Sequence, residues 1–114
     1  MIIYGIPNCD TIRKARKWLI EHHIDYQFHD YRKDGIDKAL VDEFVAQLGW
    51  EKLLNKRSLT YRQLTAEQKD NLNQDTAIQI MLEQPTIIKR PLLRTNNNEL
   101  YLGFKAQEYE QITK

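Results

Sequence analysis

The apolar positions of this chain switch between short continuous runs and helical stripes, and the switches mark its elements. Ile2-Ile3-Tyr4 is an apolar run of strand length. Gly5 and Pro7 are expected to stop it and turn the chain. Ile12, Ala15 and Leu19, with Trp18 beside them, then recur at helical spacing from Asp10 onward, and Asn8 stands where an N-cap is expected. From Asp25 to Tyr31 the period changes to two. Tyr26, Phe28 and Asp30 fall on one face and Gln27, His29 and Tyr31 on the other, which predicts a strand packed on a core by its first face. Strand, helix and strand in close succession make a βαβ unit with a right-handed crossover.

Helical stripes dominate the middle of the chain. Asp37 stands as an N-cap within an amphipathic pattern of Ile36, Leu40, Val41, Phe44, Val45 and Leu48, and Gly49 suits its C-cap. Trp50 to Leu54 is read as one further turn, and Asn55-Lys56-Arg57-Ser58 as a polar loop. Thr65 with Gln68 has capping-box spacing. Asp75 to Gln84 forms another helix with Ala77, Ile78, Met81 and Leu82 inward, closed by Pro85. Thr86-Ile87-Ile88 is β-rich. Leu92-Leu93-Arg94 and Leu100-Tyr101-Leu102 flank three asparagines, the pattern of a hairpin, and Lys105 to Ile112 closes the chain as a helix. The order is β-α-β, helices, β-β, α.

Composition narrows the class. At 114 residues the chain suits one domain, 1–114, with a helical insertion at about 35–84. A formal net charge of +1 gives no general attraction to nucleic acid or to an anionic membrane. No apolar run approaches the ~18 residues of a spanning helix, and the start lacks the pattern of a signal peptide. One cysteine cannot form an internal disulfide or a multi-cysteine metal site, so a reducing cytoplasm is the expected home.

Most lone cysteines are small buried hydrophobes. Cys9 differs by its position at a strand-to-helix turn, where the positive end of the helix dipole and the cations Arg13, Lys14, Arg16 and Lys17 favour thiolate, the nucleophilic form. Arg90-Pro91, in the turn before the late hairpin, is expected to face Cys9 across a small cleft. Arg90 there would bind an anion and support the thiolate, and the Pro91 peptide is a candidate for the cis form. Thr11 adds a hydroxyl. His22, His23 and His29 lack companions at ligand spacing, so no metal is expected, and nothing in the sequence sets His29 beside Cys9 as a hydrolase pair.

Tyr4-Gly5-Ile6-Pro7-Asn8-Cys9-Asp10-Thr11-Ile12-Arg13-Lys14-Ala15 closely resembles the opening of the ArsC/Spx family, nearest its YffB-like branch. The likeness continues through Leu53–Ser58, Gln84–Pro91 and Leu102-Gly103-Phe104. It implies a cytoplasmic thioredoxin-like α/β fold with a central mixed four-stranded sheet. It also implies that Cys9 is the nucleophile, that Arg90 and Pro91 match an anion-binding arginine and a cis-proline, and that Arg57 supplies a second arginine. With Asn8, Thr11 and Arg13 these form the candidate site. Glu99-Leu100-Tyr101-Leu102 stands where arsenate reductases carry a third arginine, and Ile12 where redox-switch members carry a second cysteine. The resemblance therefore implies a monothiol oxidoreductase. It would have no tightly bound cofactor, with glutathione as co-substrate and glutathione or a glutaredoxin-type protein as reductant. A non-catalytic Spx-like module binding a protein partner such as RNA polymerase, and an arsenate reductase, are the alternatives.

Overall fold

β1 (Ile2–Gly5) pairs in parallel with β2 (Gln27–Asp30) and antiparallel with β3 (Leu92–Arg94), and β3 pairs antiparallel with β4 (Leu100–Leu102). The mixed sheet has the order β2-β1-β3-β4 in the computed structural model, which describes residues 1–114. α1 (Asp10–Glu21) is the crossover between β1 and β2, and α7 (Ala106–Ile112) follows β4. This is the thioredoxin-like arrangement. Met1–Gly35 and Arg90–Lys114 form one unit and Ile36–Lys89 a second, and the helices expected at about 35–84 lie in the second.

Side chains alternate across a strand, and β1 shows what each face of the first unit's sheet does. Ile3 registers with Phe28 and Leu93 and packs with Ala15, Trp18 and Leu19 of α1 and Tyr109 of α7. Tyr4, on the opposite face, registers with His29 and Leu92. Its ring stacks on Tyr31 at 6.3 Å between centroids and lies 5.0 Å from His29. Alternation puts Gln27, His29 and Tyr31 on this face, opposite the one expected to pack. Instead Tyr4, Tyr31, Leu92 and Leu100 are all buried, so both faces of the sheet carry packing. Gly5 is also paired in β1 with Asp30 rather than ending the strand before it.

α1 buries Ile12, Ala15, Trp18 and Leu19 as the spacing predicts. At its start the structure corrects the expected cap. Cys9, with φ −126° and ψ 126°, is the N-cap residue, and Asn8 lies one position earlier, exposed. The first intrahelical bond is therefore accepted by Cys9, whose carbonyl takes the Arg13 amide at 3.0 Å. In the hairpin Asn98 adopts φ 62°, the left-handed conformation asparagine tolerates.

In the second unit, α2 (Lys38–Leu48) is capped by the Asp37 carboxylate and stopped by Gly49 at φ 84°. α3 (Trp50–Leu53) follows, then α4 (Leu59–Arg62), which the polar-loop reading stopped short of and which Ser58 caps. The predicted capping box opens α5 (Ala66–Asp70), and a second, Asn73 with Thr76, opens α6 (Gln74–Glu83). α6 buries Ile80 along with Ala77, Ile78 and Met81, while Leu82 is only half-buried. Thr86-Ile87-Ile88 is not a strand. Pro85–Ile87 is a 3-10 turn, and Ile88 joins Leu54 in an isolated antiparallel bridge. Two bonds, Asn55 N–H to the Ile87 carbonyl and Lys89 N–H to the Leu53 carbonyl, each 2.8 Å, satisfy this short pairing while Ile87 and Ile88 are fully buried. No helix is long and apolar enough to cross a membrane.

Candidate active site

Gly5 sets the site's dimensions. A Cβ built on it would overlap Ile12 Cδ1, stand 3.3 Å from Ile12 Cγ1 and 3.7 Å from Arg90 Cβ. Only a residue without a side chain lets the first turn of α1 close this tightly on the end of β1, while the Arg90 Cβ lies at ordinary contact distance. On the other side of the same residue, the Gly5 carbonyl accepts the Tyr31 amide at 3.0 Å. One glycine thus gathers Cys9's helix, the Arg90 loop and Tyr31.

Cys9 is partly exposed at this junction. Its partial burial pushes the thiol up, but the Ile12 amide, the Arg90 guanidinium and the Thr11 amide beside the sulfur, together with the Arg90 charge, outweigh that and hold it below its ordinary value, without a cap hydrogen bond closed onto the side chain. These are free amides of a helix's first turn, which have no intrahelical acceptor. An anionic sulfur at the N-cap position faces them and meets the positive end of the dipole. The arrangement can keep a thiolate within reach of solvent, present it to an electrophilic sulfur or other acceptor, and offer a guanidinium to an anion beside it.

The structure brings Cys9, Thr11, Arg90 and Pro91 together, with differences from expectation. Thr11 acts on the sulfur through its amide. The Arg90–Pro91 peptide is cis, and buried Pro91 accepts the Gly103 amide at 2.9 Å. Arg13 is turned onto Asp10, 2.7 Å away, and Arg16 onto Tyr26 and Phe28. Three of the four cations expected to support the thiolate thus have other partners, Lys17 pairing with Glu21 at 3.8 Å, and Arg90 acts on the sulfur. Arg57, in the second unit, is exposed, its amide donating to Asn55 Oδ1 at 3.1 Å. Arg94 does not take the place of the missing third arginine. It registers with Ile2, at the other end of β1, and donates to the Tyr4 hydroxyl at 3.0 Å. His29 is committed elsewhere, with Nε2 donating to the Gly35 carbonyl at 2.7 Å. No group of three or more His, Cys, Asp and Glu side chains is placed to hold a metal ion.

Gly5 and the Ile12 amide are site components that the residue pattern left unmarked. A glycine in register with a strand, one turn before a cysteine, was the available signal for the first.

The model of the ArsC family matches residues 4–112. An uncharacterized protein of Haemophilus influenzae is 44% identical over 108 residues, spanning 95% of this chain and 94% of its own. The solved structure of a YffB protein superposes with a TM-score of 0.91 at 40% identity, covering 99% of this chain and 98% of the other. The global transcriptional regulator Spx of Lactiplantibacillus plantarum is 26% identical over 98% of this chain and 85% of its own.

Proposed function

This chain belongs to the ArsC family, and from that premise we propose that it is a glutathione-dependent monothiol oxidoreductase. Cys9 thiolate attacks the glutathionyl sulfur of a mixed disulfide. An S–S bond forms between Cys9 and glutathione as the old one breaks, and the substrate leaves as its thiolate. A second glutathione thiolate then attacks the glutathionyl sulfur on Cys9, releasing oxidised glutathione and restoring the Cys9 thiolate. The substrate is reduced by two electrons and two glutathiones are joined. With one cysteine in the chain, the resolving thiol has to come from outside. The first turn of α1 stabilises the departing and returning charge on sulfur, and Arg90 holds a carboxylate of glutathione. The reductant places this work in a reducing compartment, the cytoplasm. The carrying observation is a partly exposed sulfur at the N-cap position of α1 whose thiol is held low by the helix-start amides and the Arg90 guanidinium beside it.

Intact-mass analysis tests it. Treated with oxidised glutathione, the protein gains one glutathionyl group, reduced glutathione removes it, and Cys9→Ser gains none. Glutathione-dependent reduction of a glutathionylated peptide that survives in Cys9→Ser would overturn the proposal. The likeness to Spx favours a second reading, a regulatory module without chemistry. Full cellular function in a Cys9→Ser strain would favour that reading.

A further inference from the structure

Cys9 and Arg90 act at the disulfide, and neither holds the polypeptide that leaves. The outer face of α1 carries a surface suited to that. Cys9, Arg13, Arg16 and Ile20 recur at spacings of four, three and four, so they form one stripe running along the helix from its N-cap. The stripe borders an open groove of about 430 Å³ lined by Arg13, Arg16, Lys17, Ile20, Glu21 and Tyr26. Its end nearest the sulfur is Arg13, whose amide donates to the Cys9 carbonyl at 3.0 Å.

Arg16 is the cation this groove holds ready. Its Nε donates to the Tyr26 hydroxyl at 2.9 Å, and its guanidinium lies over the Phe28 ring, 4.4 Å from the centroid. Tyr26 and Phe28 are themselves half-buried against the core cluster of the sheet, so the guanidinium rests on an anchored platform. No carboxylate pairs with it, whereas Arg13 has Asp10 and Lys17 has Glu21. A planar fork fixed in advance suits a carboxylate and lowers the entropic cost of binding one. One turn on, Ile20 is 63% exposed, one of two large apolar side chains that the chain leaves in solvent.

The spacing sets the form of the ligand. Arg16 and Ile20 lie about 10 and 16 Å beyond Cys9 along the axis, at ~1.5 Å per residue. An extended chain, at ~3.3 Å per residue, covers these in about three and five residues. We propose that this groove docks the substrate polypeptide in extended form. A carboxylate about three residues from the reacting cysteine sits on Arg16, and an apolar side chain about two residues further sits against Ile20. The substrate class is then a glutathionylated protein whose cysteine is followed along the groove by an acidic and then an apolar residue. This rests on the thiol-exchange reading and adds no step to it. Arg90 keeps the glutathione carboxylate, and α1 takes the leaving polypeptide.

Glutathionylated peptides with a single cysteine test it. One is neutral, one carries glutamates about three residues from the cysteine, and one adds a leucine about two residues beyond. Glutamate should lower KM about three- to fivefold with kcat unchanged, the range of a well-placed exposed ion pair, and leucine should lower it further. High salt removes the advantage of glutamate and keeps that of leucine. Arg16→Gln abolishes the first advantage, and Ile20→Ser, at an exposed position, abolishes the second. A docking arm needs no chemistry. Cys9→Ser protein should rank fluorescently labelled peptides, with serine in place of cysteine, in the same order by anisotropy. Failure of the thiol-exchange reading alone would silence the kinetic arm and leave that ranking intact. Equal binding of the neutral and glutamate peptides, a preference that persists in Arg16→Gln, or tighter binding of a single-stranded oligonucleotide than of any peptide overturns the proposal.

Discussion

Replacing Gly5 by alanine tests how the site is assembled. The added Cβ would overlap Ile12 Cδ1 and lie 3.3 Å from Ile12 Cγ1. Ile12 is fully buried and cannot swing its side chain into solvent. Overpacking of this kind costs about 1–3 kcal/mol, and an overlap with a fully buried atom belongs in the upper part of that range, against the roughly 0.4–1 kcal/mol that alanine gains by restricting the unfolded chain. The net loss of about 1–2 kcal/mol, at about 4 °C per kcal/mol for a chain of this size, should lower the transition by about 4–8 °C. The offending atom can itself be removed. Ile12→Val deletes Cδ1 and alone costs about 0.5–1.5 kcal/mol, yet in the Gly5→Ala background it should restore stability. The double-variant cycle then shows a favourable coupling of about 1 kcal/mol or more. Calorimetry of the four proteins measures it. Cys9 titration adds a functional arm, because displacing the start of α1 moves the helix-start amides away from the thiolate and raises its midpoint. A Gly5→Ala protein that melts with the parent, or a double variant whose loss equals the sum of the singles, would refute the reasoning.

Three further outcomes follow from the same geometry. Asn73→Ala removes the side chain that accepts the Thr76 amide at the start of α6 and should lower stability by about 1 kcal/mol, about 4 °C in melting temperature. Because the folded Cys9 thiol lies below its ordinary value, its contribution to stability is complete above the free-thiol value of ~8.5, shrinks below that and vanishes as pH falls through the folded midpoint. Urea unfolding of the parent and Cys9→Ser should accordingly diverge as pH is raised and converge in acid. Arsenate-dependent oxidation of glutathione should stay at background, since Glu99–Leu102 contains no arginine and Arg94 is engaged with Tyr4 at the far end of β1.

Where local chemistry decides structure, the chain was readable. The α1 stripe, the Asp37 cap, the Gly49 stop, the Thr65 box and the asparagine turn each depend on neighbours within a few residues. The misreadings arise where distant partners decide. Ile87 and Ile88 have β-forming side chains, yet their only ladder is the short pairing about Leu54. Tyr31 falls on the face opposite the one expected to pack, and it is buried because Tyr4 and Leu92 make that face apolar as well. α4 is four residues long, too short for any period to show. At the site, the nucleophile and Arg90-Pro91 were legible as residue types in order. Which cation serves the sulfur was not, although Asp10 three residues before Arg13 signalled that this arginine has a local partner.

The rate of Cys9 alkylation against pH, in the parent, Arg90→Gln and Arg13→Ala proteins, bears most directly on the claim that helix-start amides and one guanidinium hold a thiolate at this junction. The midpoint should fall below the free-thiol value of ~8.5 in the parent, rise in Arg90→Gln and stay put in Arg13→Ala. A parent midpoint at or above that value, or one that moves with Arg13 and not with Arg90, contradicts the account.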